Sequence, residues 1–320
     1  MRLPPLLKNI IANRYAVVAA IAAIVVVLPL IVPSSFHLRI ATLVFIFALA
    51  VLGLNLLMGF AGQVSLGHAG FFGIGAYAVA IGPAHLGIPS WAALLIGLVL
   101  AGALAFVVGR PILKLKGHYL AVATLGLGML ITMVLTNEAR WTGGPDGMPV
   151  SRLVLFGWIV RGTQVWYWIS GITLALGALI AVNLIDSPTG RAFRAIHDSE
   201  VAATVLGVDV ARYKLIVFVL SAVYAAIAGA YLALFDGLVT PVTAGFLRSI
   251  EFVTMAVLGG LGSIFGSIVG AALLVVLPQM LTVFHDYEHI ALGLIMIVFM
   301  IFLRAGIVPS LATLIARRVS

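Results

Sequence analysis

Apolar residues run nearly unbroken for stretches of about twenty along this chain, and polar passages separate the stretches instead of alternating with them at every second position. That pattern predicts helices that cross a bilayer, because a membrane barrel would show shorter, alternating strands. Ten spans can be drawn, over residues 15–32, 40–58, 59–80, 91–109, 119–136, 165–185, 215–234, 246–258, 264–283 and 289–303. Two places resist the drawing. The third span carries glycines at 59, 62, 67, 70, 73 and 75, and the eighth runs into Gly259-Gly260-Leu261-Gly262-Ser263. Glycine weakens a helix by about 1 kcal/mol relative to alanine, so the count falls to eight or nine if these passages are breaks. Either close packing of neighbouring backbones or a polar pathway accounts for so much glycine in a membrane.

Composition agrees with the pattern. The 320 residues are 63% hydrophobic and only 9% charged, with a mean hydropathy of +1.24, which is more apolar surface than a soluble core can use. The fold class expected is an all-α polytopic membrane protein, one domain over residues 1–320. Cysteine is absent, which removes disulfides, thiolate metal sites and a cysteine nucleophile. The formal net charge of +8 does not point to nucleic acid, because the basic residues cluster beside span ends and read as topology signals. Arg2, Lys8 and Arg14 precede the first span, Arg110, Lys114 and Lys116 follow the fourth, and Arg304, Arg317 and Arg318 follow the last. Both termini are therefore expected in the cytoplasm. Arg140, Arg152, Arg161 and Arg248 fall outside on this topology, so the rule holds only as a bias. The first apolar run exceeds a signal peptide's usual core of about 7 to 15 residues, and a retained helix is expected.

One polar passage is long, SPTGRAFRAIHDSEVAATVLGVDVARYK at 187–214. Ser187 or Thr189 can cap a helix and Pro188 suits its first turn. A single helix is predicted from there to Gly207, with Phe193, Ile196, Ala203 and Leu206 on one face and Arg191, Arg194 and Asp198 on the other. Amphipathicity alone favours a solvated connecting helix. Within the spans, Asn55, Gln63, Ser65, His68 and Thr124 are polar where polarity is costly, which makes them candidates for a lined path. No phosphate-binding loop, H-E-x-x-H or G-x-S-x-G occurs. No catalytic residue, metal site or cofactor is expected in this chain.

Several passages resemble the branched-chain amino-acid permeases of bacterial ABC importers, in their M-type transmembrane subunit. They are GQVSLGHAGFFGIGAY at 62–77, GHYLAVATLGLG at 117–128, TGGPDGM at 142–148 and GRAFRAIHDSEVAA at 190–203. Glu200, Ala202, Ala203 and Gly207 look like a variant, one residue looser, of the EAA-type segment by which permeases seat on their ATPase. The resemblance runs from about Asn55 to Pro278. It implies an ABC importer permease in the bacterial inner membrane, a heterodimer with a homologous second permease, served by two cytoplasmic ATPase subunits that hold ATP and Mg, and by a periplasmic amino-acid-binding protein. It places Arg191, Arg194, Glu200, Ala203 and Gly207 in ATPase coupling, and Gly143, Gly144, Asp146 and Gly147 on the side facing the binding protein. Leucine, isoleucine and valine are the implied substrates, with urea or short amides as those of sibling permeases. An ion-coupled secondary transporter is the rival mechanism, and of the ionisable residues only His68 suits it well.

Overall fold

The computed structural model describes residues 15–31, 34–155 and 158–281, with short pieces at 293–294, 297–299, 301, 303 and 306–310. Arg2, Lys8, Arg14, Asp286, Glu288, Arg304, Arg317, Arg318 and most of the 289–303 span lie outside the described residues.

Long helices dominate: α1 (Ala16–Ile31), α2 (Ser35–Asn55), α3 (His68–His85), α4 (Ser90–Ile112), α5 (His118–Asn137) and, after a short outer turn of helix, α6 (Ala139–Thr142), α7 (Thr163–Asp186). Two short helices, α8 (Pro188–Asp198) and α9 (Glu200–Val205), lead to α10 (Val210–Asp236), α11 (Phe246–Gly259) and α12 (Ile264–Leu281). Among the described residues, six helices are long and apolar enough to cross a membrane, namely α2 with its π-helical extension, α4, α5, α7, α10 and α12. The expected ten are therefore not reached: α1 and α11 are shorter, and α3 is not among the six. In α2 the span is 89% buried within the chain, against 28%, 22% and 28% in α4, α5 and α12. Helix α2 is thus the centre of the bundle and the other three form its exposed rim.

Glycine sets the closest crossing. A Cβ on Gly75 would overlap the carbonyl of Ala226, and one on Gly229 would overlap the carbonyl of Phe72. Helices α3 and α10 can meet backbone to backbone only because both positions lack a side chain. The α3 N-terminus then stands beside a cluster of Phe47, Phe72 and Phe252, whose ring centroids lie 5.3 to 6.2 Å apart. Beyond the C-terminal end of α10, β1 (Met148–Pro149) pairs antiparallel with β4 (Leu238–Val239), and β2 (Val154–Leu155) pairs with β3 (Trp158–Ile159).

Two expectations are corrected. Residues 59–67 are not the start of a span: a π-turn over Leu56–Phe60 ends α2, extended backbone follows, and α3 begins at His68. The single helix expected up to Gly207 is also broken. Ser199 adopts extended backbone (φ −164°, ψ 116°) and caps a new helix by accepting the Ala202 amide at 3.2 Å. The break reorients α9 relative to α8, so Leu206 is 78% exposed instead of joining buried Phe193, Ile196 and Ala203.

Candidate translocation and coupling site

The break between α2 and α3 is held at its rim. The Gln63 amide N–H donates to the Leu57 carbonyl at 3.0 Å, and the Leu66 N–H donates to Thr124 Oγ1 at 3.1 Å. Thr124 in turn donates to the Ala121 carbonyl. Its backbone presses on Gly67, where any Cβ would overlap the Thr124 oxygen. The Ala69 N–H, in the first turn of α3, donates to Ser249 Oγ of α11 at 3.0 Å. The backbone of the break is thereby fixed by α5 and α11.

Its side chains are not so tied. Gln63, Ser65 and His68 are 1–2% exposed, yet both polar atoms of the Gln63 amide and Ser65 Oγ have no hydrogen-bond partner in the protein. His68 Nδ1 is 3.5 Å from Ser221 Oγ on α10, and the ring interacts with the Ala50 backbone. An unpaired buried polar group costs about 1–3 kcal/mol. Three such atoms on two residues of one break leave unused hydrogen-bonding capacity there.

Asn55 is placed differently. Its Nδ2 donates to the Ser263 carbonyl at 2.8 Å, to Ser267 Oγ at 2.9 Å and to the Gly260 carbonyl at 3.3 Å, while its Oδ1 accepts the Gly262 N–H at 2.9 Å. Both donor hydrogens of the amide and one lone pair of its oxygen are engaged on the glycine turn between α11 and α12. Of the five residues expected along a path, the structure thus gathers Gln63, Ser65, His68 and Thr124 at one break, and sets Asn55 as the latch of the other.

The residues expected in ATPase coupling lie at the end of the bundle formed by α8 and α9. Ser187 accepts the Gly190 N–H and caps α8, and Arg194 Nη1 donates to the Ile185 carbonyl at 3.1 Å, bracing α8 against the end of α7. Glu200 is ion-paired with Lys214, which is only 3% exposed. Gly207 (φ +81°) closes α9, with the Val208 N–H returning to the Ala203 carbonyl at 3.0 Å. Arg191, Val201 and Val205 face outward. One contact joins this region to the break. Gly62 (φ +68°) packs on His197 of α8, whose ring would lie 3.2 Å from a Cβ at that position. His197 and Lys214 were not picked out by the sequence for these roles, and the only hint was an acid and a base fourteen residues apart in a chain with few charges.

At the opposite end, Gly143, Gly144 and Gly147 all have positive φ (77°, 64° and 75°). Thr142 Oγ1 donates to the Leu135 carbonyl and accepts the Gly144 amide, while Asp146 is exposed. The turn packs under β4, since a Cβ on Gly147 would overlap the Val239 carbonyl. A cavity of about 490 Å³ is an apolar groove between α1, α2 and α12, away from the polar break.

Residues 36–303 match the family described as branched-chain amino acid transport system, permease component. The chain belongs to this family. It is 34% identical over 294 residues to the high-affinity branched-chain amino acid transport system permease protein LivM of Escherichia coli, covering 84% of this chain and 69% of that protein. It is 26% identical over 265 residues to LivH of Salmonella typhimurium, covering 76% and 84%, and 28% identical over 215 residues to the ribose import permease protein RbsC of Haemophilus influenzae, covering 64% of each. No solved structure matches the chain. The protein is therefore a multi-pass membrane permease.

Proposed function

We propose that this permease is the transmembrane subunit of an ATP-driven importer that carries leucine, isoleucine and valine across the inner membrane by alternating access. It works beside a homologous second permease, with two cytoplasmic ATPase subunits and an external amino-acid-binding protein. One observation carries the mechanism: His197 of α8 rests directly on Gly62, the residue that opens the break containing Gln63, Ser65 and His68. A shift of α8 imposed by nucleotide-driven closure of the ATPases has a short route into the polar segment. The energetic condition is that nucleotide bind one global state better than the other. Arg191, Arg194, Glu200, Ala203 and Gly207 form or shape the surface that meets the ATPase. The Gly143–Gly147 turn, with Asp146 exposed, meets the binding protein. The names of the relatives support the branched-chain substrates.

Uptake of labelled leucine and labelled urea in cells with and without this chain tests the reading. Loss of leucine uptake alone is expected on deletion. Loss of urea uptake alone would retain the importer and overturn the substrate.

A further inference from the structure

Helix α11 presents charge where the membrane should be driest. Its depth can be read from neighbours on both sides. The Arg248 guanidinium lies 5.2 Å from the centre of the Phe47 ring, and Phe47 is eight residues further into α2 than Arg39, about 12 Å at the helical rise. Arg39 itself pairs with Asp236, where α10 ends, at 3.2 Å. From the inner side, Gly260 is bonded by Asn55 at the end of α2, and Glu251 is nine residues back from it, again about 13 Å. Glu251 therefore sits near the middle of the depth spanned by α2, with Arg248 one turn further out.

The two are paired, Arg248 Nη1 to Glu251 Oε2 at 2.6 Å, and Glu251 is 47% exposed on the surface of the chain. Around them runs a stripe at helical spacing: Leu247 (74% exposed), Ile250 (37%), Glu251 and half-buried Thr254. The Thr254 hydroxyl is satisfied within the helix, donating to the Ile250 carbonyl at 2.8 Å, but a charged pair turned toward acyl chains at mid-depth would cost several kcal/mol. Such a face is tolerated only where it borders water or protein. Ser249, next to Arg248 in sequence but buried on the other face of α11, holds the α3 N-terminus through Ala69.

We propose that Arg248 and Glu251 receive the zwitterionic head of an α-amino acid, the substrate carboxylate on the guanidinium and the substrate ammonium on the carboxylate, on a face of α11 that lines the pathway. Leu247 and Ile250 lie beside the pair and offer an apolar wall to a hydrocarbon side chain. The charges match: an opposite-charge pair one helical turn apart is complementary to a head carrying both signs, and a neutral solute such as urea does not need it. The proposal rests on the reading of this chain as an amino-acid importer subunit.

The test uses the assembled importer in proteoliposomes. The double substitution Arg248→Gln with Glu251→Gln removes both charges at once and so leaves no unpaired ion in the bilayer. Leucine uptake is expected to fall at least ten-fold while subunit assembly and ATP hydrolysis without substrate stay within two-fold. Because this chain has no cysteine, Thr254→Cys gives a second reading with both charges intact. A charged, water-soluble thiol reagent should modify it, and millimolar leucine should slow that modification, whereas Val107→Cys on the rim should stay inert. Uptake near the unsubstituted level in the double variant, a Thr254→Cys that leucine does not protect, or loss of the second permease from the purified complex would each overturn the proposal. Absence of leucine uptake in the unsubstituted importer would instead defeat the functional reading on which it stands.

Discussion

The permease contains two glycine-broken joints of similar sequence character, and they are finished in opposite ways. At the α11–α12 turn, Gly260 and Gly262 take positive φ (118° and 75°), and the polar groups of the turn and of Ser267 are gathered by the one amide of Asn55. At the α2–α3 break the backbone is pinned by Thr124 and Ser249, but Gln63 and Ser65 are buried with no partner. Among the described residues, the first joint leaves no buried side-chain polar atom without a partner. The second leaves several, next to α8. An amide therefore means different things at the two sites, and substitution should separate them.

The largest effect is expected at the closed joint. Asn55→Leu leaves the Gly262 N–H without its partner and strips one bond each from the Gly260 and Ser263 carbonyls, which keep the Ser263 and Ser267 N–H groups, at about 1–3 kcal/mol in all. A fall of ~2 °C or more in the melting temperature of the purified permease is the outcome; an unchanged melting temperature would contradict the latch. Gly59→Ala attacks the same joint from the other side, because its Cβ would collide with Asn55 Oδ1 and the Gly262 N–H, and overpacking of this kind costs about 1–3 kcal/mol. Thermal scans of the two variants and their combination should show less than additive losses, since both break one set of bonds.

At the open joint the sign reverses. Gln63→Leu removes no internal side-chain hydrogen bond, so stability should hold or rise by up to about 1 kcal/mol, while leucine uptake drops roughly ten-fold. A Gln63→Leu permease that melts as early as Asn55→Leu would erase the distinction between the joints. Smaller effects are expected at the link to the cytoplasm. Glu200→Arg strands nearly buried Lys214 beside a second cation, so the exchange Glu200→Lys with Lys214→Glu is the cleaner probe: it should restore insertion and melting but not full coupling of ATP hydrolysis to uptake. His197→Ala, which loosens an exposed ring from Gly62, should cost less than about 0.5 kcal/mol and reduce uptake two- to five-fold at unchanged ATPase activity.

Much of this was legible in the chain. Unbroken apolar runs gave the long helices to within a few residues at α4, α5, α7 and α10, and the GQVSLGHAGFFGIGAY passage carried the family. Asn55 was grouped with the path because its partners are more than two hundred residues away, and no local pattern announces a hydrogen bond of that range. The break at Ser199 was hidden because helical spacing continues across it, and a serine can cap as well as fill. Arg248 read as an outer residue because it stands at the start of the short inward span drawn over 246–258, and its contact with the Phe47 ring, at 5.2 Å, has no signal in the sequence.

Transport by this route requires the α2–α3 break to move while the α11–α12 joint does not. Single cysteines at Ser65 and Ser267, in a chain that has no other, can be timed against a water-soluble thiol reagent in the assembled importer, without nucleotide and with ATP trapped. The reaction at position 65 should change at least ten-fold between the two states, and position 267 should stay unreactive in both. Equal rates at position 65, or a nucleotide-dependent rate at position 267, would contradict it.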